Sequence, residues 1–204
     1  MNIVLLGIQG SGKGTLVMDL SNYMEFDLVS VGQLLREEVA TGSDLGKQIK
    51  QKQDAGMLVD LDIVIATVKK VLKNHKKQNV VFDGFPRDTA QADALDKICK
   101  LDKAVYLRLD KETALSRLVN RLTCNKCGFI TTKQKAKTNV CPECGGKLVT
   151  RADDTAETIT KRFDNYEKET MPLIDRYKKA GILVEVDANR TPKEVLQSVL
   201  KELN

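Results

Sequence analysis

Long apolar runs are missing: no stretch of this 204-residue chain approaches the ~18 residues that a membrane-spanning helix needs. The opening Met1-Asn2-Ile3-Val4-Leu5-Leu6-Gly7 carries no basic segment and is broken early by Gly7, so it does not read as a secretion signal. Histidine is scarce. His75 is the only one, in the solvated turn Lys73-Asn74-His75-Lys76-Lys77, which leaves no histidine beside any motif to act as a general base. The five cysteines are an odd number, and without a secretion signal that argues against a disulfide framework. With 42% hydrophobic and 30% charged residues, the chain is not a disordered tail. What remains is the expectation of a soluble, cytoplasmic globular protein, large enough for one core and small excursions from it.

The net charge of +5 is modest and fits an anionic ligand as easily as nucleic acid. Lysine outnumbers arginine 24 to 9. Because lysine supplies the ordinary surface charge, each arginine draws attention as a bidentate anion ligand. A genome-wide bias toward lysine codons is the plain alternative.

Five short β-branched runs recur, at Asn2–Leu6, Asp27–Val31, Asn79–Phe82, Ala104–Leu109 and Ile182–Val186. Their continuous apolar character suits parallel strands buried on both faces. Helical patterns lie between them, at Gly14–Met24, Asp60–Leu72, Lys111–Leu122, Thr155–Lys179 and Thr191–Leu203. The alternation predicts a doubly wound α/β domain, with a five-stranded parallel sheet flanked by helices. Two segments break the rhythm. Residues 30–59 are helical in pattern but hold no strand, and residues 121–154 hold four of the cysteines with little apolar periodicity. Both read as insertions closing over a site on a core made of residues 1–29, 60–120 and 155–204.

Gly7-Ile8-Gln9-Gly10-Ser11-Gly12-Lys13-Gly14-Thr15 follows the first strand and opens a helix. That context turns a glycine pattern into a phosphate loop. Glycines allow backbone N–H groups to surround phosphate oxygens, the helix N-terminus adds a positive dipole end, and Lys13 supplies a mobile cation. Gly10, Ser11, Gly12, Gly14 and Thr15 complete the cradle, with Thr15 placed to reach a magnesium ion.

Cys124-Asn125-Lys126-Cys127-Gly128 and Cys141-Pro142-Glu143-Cys144-Gly145 form two knuckles. Four thiolates satisfy a tetrahedral Zn²⁺ and leave no open position, so the metal is expected to be structural. An iron centre is the alternative for a sulfur-only site. The glycine after each knuckle is expected to let backbone N–H groups point at sulfur. Cys99 stands apart on an apparent helix, as a small buried apolar residue.

The Gly-Lys-Gly-Thr order, the run Asp83-Gly84-Phe85-Pro86-Arg87 and the paired knuckles together resemble the adenylate kinases of the long, zinc-lidded form, over nearly the full length. The resemblance implies that Arg87 grips the AMP phosphate, that Gln91 reads the adenine, and that Asp83 holds water on magnesium. It places Val31, Arg36, Met57, Leu58 and Val59 around AMP, with Val31 standing where a Thr is usual and Gln33 where an acid is usual. It places Arg117, Arg121, Ile130, Thr131 and Arg190 on the ATP side, and brings Arg151 and Arg162 to the acceptor. Thr131 stands where Tyr is usual. Asp153-Asp154 is read as orienting Arg151 or its neighbours and, more plainly, as a helix cap in which Asp154 pairs with Glu157; both can hold together. The implied reaction is transfer of a phosphoryl group from MgATP to AMP by a monomer, with no nucleic-acid or membrane partner. The alternatives are a kinase for another nucleoside monophosphate, which Val31 suggests, and a zinc-ribbon nucleic-acid binder. For the ribbon speak five Lys against one Glu in residues 122–150; against it, Phe129 is the only aromatic there to stack on bases.

Overall fold

Alternate residues of each central strand face opposite sides of one sheet, and the two sides carry separate hydrophobic cores. The computed structural model describes residues 1–151 and 153–203. In chain order the first half comprises β1 (Asn2–Leu6), α1 (Lys13–Leu20), β2 (Asp27–Ser30), α2 (Val31–Ala40), α3 (Asp44–Asp54), α4 (Leu61–Lys73), β3 (Val80–Asp83) and α5 (Thr89–Asp96). Then follow β4 (Lys103–Arg108), α6 (Lys111–Val119), β5 (Arg121–Cys124), β6 (Ile130–Thr132) and β7 (Leu148–Val149). The last part holds α7 (Ala156–Asn165), a π turn (Tyr166–Thr170), α8 (Met171–Lys179), β8 (Leu183–Asp187) and α9 (Pro192–Leu203).

The main sheet is parallel, in the order β2-β3-β1-β4-β8. Ile3, Leu5, Val81, Val105, Leu107, Val184 and Val186 face one core, with α1, α6, α7 and α9 over them. Val4, Leu6, Val80, Phe82, Ala104 and Tyr106 face the other, covered by α2, α3, α4, α5 and α8. This is the α/β sheet expected from the five apolar runs. The register pairs Leu5 with Asp83 and Asp83 with Ser30, so β1, β2 and β3 end side by side beneath the phosphate loop.

Three details differ from the expectations. Residues 121–154 contain a three-stranded antiparallel sheet, β6-β5-β7, and a small core of Leu122, Cys124, Cys141 and Leu148. Its strands are two to four residues long, too short for alternation to show in a sequence. The helix over Thr155–Lys179 is interrupted by the π turn. Cys99 lies beyond the end of α5 and not on a helix, half-buried against the second core.

Candidate active site and metal centre

The phosphate loop turns on glycine. Gly10 has φ 90 and approaches α6 so closely that a Cβ would sit 2.7 Å from the Ala114 carbonyl oxygen. Gly12, at φ 97, caps α1 in the left-handed region that only glycine enters freely. Lys13 and Gly14 open the helix, Ser11 is buried, and Thr15 follows in the first turn. The Lys13 ammonium folds back on the loop, donating to the carbonyls of Gly7 (2.6 Å) and Ile8 (3.1 Å) and to Ser11 Oγ (3.3 Å). Burial lowers its pKa to about 8; the Asp83 carboxylate opposes the shift, and Arg87 and Arg121 add to it. The Ser30 hydroxyl donates to Asp83 across 3.5 Å.

Arginines converge on this loop from every side. Arg87 follows Gly84 (φ 70), buried Phe85 and a cis Pro86, and its Nε donates to the Gly84 carbonyl at 2.8 Å. A Cβ on Gly32 would meet Arg36 at 3.4 Å and Arg87 at 3.6 Å, so the two guanidiniums flank the same glycine. Arg151 donates to Thr123 Oγ1 at 3.1 Å. Its pKa falls to about 9, first through burial and then through Arg121 and Arg36. Burial likewise lowers Arg36 and Arg87, and Arg162 lowers Arg87 further. Five guanidiniums (Arg36, Arg87, Arg121, Arg151 and Arg162) therefore repel one another within one cleft beside Lys13. Such a surplus of part-buried positive charge calls for polyanionic ligands.

Two carboxylates partly offset it. Asp154, whose side chain is fully buried, takes a bidentate pair from Arg121 (2.9 and 2.6 Å) and lies 3.6 Å from Arg162. Asp153 accepts from Arg162. Burial pushes the Asp153 pKa up but is outweighed by Arg162, and the net displacement is downward. The helix-cap reading of Asp154 gives way here. Thr155 caps α7, accepting from Thr158 N–H at 3.2 Å, which frees Asp154 for the arginines.

Other singled-out residues spread more widely. Arg117 donates to the Ala188 carbonyl (2.9 Å), apart from the five, and Arg190 is exposed in the following loop. Gln91 is buried; its carbonyl accepts from Arg87 N–H (3.0 Å) and its amide donates to Asp88 (2.9 Å). Val31 and Val59 are buried in the second core, Leu58 is half-buried and Met57 is exposed. Ile130 packs on the phosphate loop, where a Cβ on Gly14 would lie 2.6 Å from Ile130 Cδ1; Thr131 follows it on β6. Gln33 approaches Gly128, so both inserted segments sit over the cleft. No histidine among the described residues faces it: His75 is exposed beyond α4.

The cysteine knuckles meet. The sulfurs of Cys124, Cys127, Cys141 and Cys144 all lie within 4.8 Å of one another, with 3.5 Å between Cys124 and Cys144 and 3.6 Å between Cys127 and Cys141. Tetrahedral Zn–S bonds of ~2.3 Å fit such spacings. The backbone N–H of Cys127, and after it that of Lys126 (3.4 Å from the sulfur), lower the Cys124 pKa to about 6. In the first knuckle a backbone N–H thus points at sulfur, as expected, while Gly128 and Gly145, at φ 76 and 71, close the turns by returning their own N–H groups to the carbonyls of Cys124 and Cys141. Gly146 carries a constraint that spacing alone did not reveal, since a Cβ there would lie 2.8 Å from Cys124 Sγ.

A family model described as adenylate kinase matches residues 5–182. The chain is 39% identical to an adenylate kinase of Treponema denticola, with 97% of each chain covered. It is 39% identical to one of Pseudothermotoga lettingae, covering all of this chain and 98% of that one. An adenylate kinase of Archaeoglobus fulgidus is 38% identical, with 100% and 96% covered. The chain belongs to the adenylate kinase family. It is thus an enzyme of the kind that passes a phosphoryl group reversibly between ATP and AMP, using Mg²⁺ with ATP. The nucleic-acid-binding alternative is not favoured. Among the described residues, no helix is long and apolar enough to cross a membrane.

Proposed function

We propose that this enzyme binds MgATP on the phosphate loop and AMP on the side covered by residues 30–59, and transfers the γ-phosphoryl group in line to give two ADP. The observation that carries this is the convergence of five guanidiniums and Lys13 on a cleft that no histidine faces. A nucleoside monophosphate presents an anionic oxygen as nucleophile, so positioning and charge neutralisation suffice. Lys13 and the loop N–H groups hold the ATP phosphates, Arg87 and Arg36 grip the acceptor phosphate, and Arg121, Arg151 and Arg162 neutralise the group in transit. Thr15 and Asp83, at the ends of the loop and of β3, would hold Mg²⁺ and its water; the ion supplies charge neutralisation at the phosphates.

Arg117, Ile130, Thr131 and Arg190 line the ATP nucleoside side. Val31, Met57, Leu58, Val59 and Gln91 line that of AMP, and Gly84, Phe85 and Pro86 set the path of Arg87. Zn²⁺ on the four cysteines would fasten the lid, whose own core is small: Leu122 and Leu148 beside sulfur, with Phe129 and Ala136 packed against them. The enzyme acts as a cytoplasmic monomer on ATP, AMP and ADP. A coupled assay with AMP, CMP, UMP and GMP tests the proposal. ADP formation should depend on AMP far more than on the other acceptors. ATP hydrolysis without AMP-dependent ADP would overturn it.

A further inference from the structure

From Ala156 to Lys179 one helical run serves both cores: Ile159, Phe163 and Tyr166 pack into the first, Leu173, Ile174 and Tyr177 into the second. Between them stands the π turn, Tyr166–Thr170. At about 100° per residue, Thr158, Arg162 and Asn165 share one face of α7. A regular α-helix would carry residue 170 about 120° away from Thr158. The wider i→i+5 turn spends about one extra residue, and brings Thr170 back toward that same face.

Each member of this stripe reaches the acceptor side. Thr158 Oγ1 donates to the Asp54 carbonyl (3.4 Å) and Asn165 Nδ2 to the Gly56 carbonyl (2.7 Å). Those carbonyls sit where α3 turns into Met57-Leu58-Val59. Gly56, at φ 70, presses on α7 so tightly that a Cβ would lie 3.0 Å from Lys161 Cβ. Thr170 Oγ1, buried, donates to the Arg87 carbonyl at 2.6 Å. Between these anchors Arg162 points to Asp153 and the guanidinium cluster.

We propose that Asn165 and Thr170 are positioning residues for the acceptor nucleotide. The stripe Thr158-Arg162-Asn165-Thr170, aligned by the π turn, fixes the span between the Gly56–Val59 loop and the Arg87 backbone. Neither residue touches substrate. Each acts through a carbonyl it holds, one on the nucleoside side and one on the phosphate side. This rests on the reading of that side as the AMP site.

The test is steady-state kinetics with both substrates varied. Asn165→Leu removes the donor at similar volume and should raise KM for AMP about tenfold, with KM for ATP within about twofold. Thr170→Val, isosteric without a donor, should raise KM for AMP and lower kcat, because Arg87 loses its anchor; Thr170→Ser should restore both. Should Thr170→Val fail to fold, Asn165→Asp, of the same shape but without a donor, should raise KM for AMP as Asn165→Leu does, with KM for ATP within about twofold. If KM for ATP and AMP move together, if neither moves, or if Thr170→Ser fails to restore, the stripe is only structural and the inference falls. Wild-type protein inactive toward AMP would instead sink the acceptor reading itself.

Discussion

The two inserted segments cover the same cleft but are held by different forces. Residues 30–59 have no core of their own: Val31, Leu35, Ile49 and Val59 are buried in the same cluster as Val4, Leu6 and Phe82 of the main sheet. The described residues of 121–154 share no cluster with the sheet, and two of their four buried core members, Cys124 and Cys141, belong to the four-cysteine group that could hold a metal. The first segment is therefore thermodynamically part of the main domain. The second is a separately fastened body, joined to the rest through α6 and α7 and by Arg162, which reaches Asp153 and Asp154. Perturbing either one should leave a different signature.

Breaking the metal cluster is expected to have the largest effect. Cys141→Ser, or removal of metal by a chelator, should unravel β5–β7 and misplace Arg121 and Arg151. Phosphoryl transfer should fall about a hundredfold or more, the loss expected when charged groups miss their target by about an ångström. Denaturant unfolding of the main domain, followed by far-UV circular dichroism, should keep its midpoint. A matching drop in that midpoint would show that the lid is not a separate body.

Ile49→Ala reverses the pattern. Ile49 is 1% exposed in the shared core, so its truncation should cost ~2–5 kcal/mol of global stability. The lid should retain its metal. Release of metal from Ile49→Ala protein at the same denaturant as wild type loses it would contradict nothing; release under native conditions would.

A pair of glycines sharpens the contrast further. Gly46 lets α3 lie on α2, where a Cβ would meet the Glu38 carbonyl oxygen at 2.6 Å. Gly46→Ala should lower global stability by ~1–3 kcal/mol through overpacking. Gly146→Ala should leave that stability intact and speed metal transfer to a chelating dye, because its Cβ collides with Cys124 Sγ. Equal effects of both on the unfolding midpoint would erase the distinction.

Much of this is legible in the sequence itself. The main strands announce themselves because both faces are buried, so each is a continuous apolar run, and their limits fall within about two residues of those expected. The grouping of Arg36, Arg87, Arg121, Arg151 and Arg162 is implied by the resemblance to adenylate kinases, which sets Arg117 beside them; Arg117 instead bonds the Ala188 carbonyl. Three things were hidden for physical reasons. The lid strands are too short to show a period. The π turn leaves no trace because Ile159, Phe163, Tyr166, Leu173 and Tyr177 recur smoothly every three to seven residues, as in a plain helix. Asp154 reads as a cap because Glu157 stands three residues on, whereas Thr155 is equally able to cap, and two half-buried guanidiniums hold a carboxylate more strongly than one helix terminus does.

The smallest expected effect lies where the two regions meet, at Lys13, whose ammonium feels Arg121 of the lid as well as Arg87 and Asp83. Burial sets its pKa at about 8 in the nucleotide-free enzyme, so the proton is held below that pH and lost above it. A neutral amine cannot offset phosphate charge. The value of kcat/KM for ATP, which reports the free enzyme, should therefore decline above pH 8, by at most about tenfold per pH unit. Bound phosphates raise the same pKa, so kcat should stay level to higher pH. Stability runs the other way. The folded pKa lies below the ordinary 10.5, so the fold disfavours the charged form at all pH values below about 8. That cost fades as pH rises from about 8 toward 10.5. Lys13→Arg, always charged, should flatten the alkaline limb of kcat/KM whatever its overall rate. A limb that survives in Lys13→Arg would assign the titration to another group and leave Lys13 charged throughout.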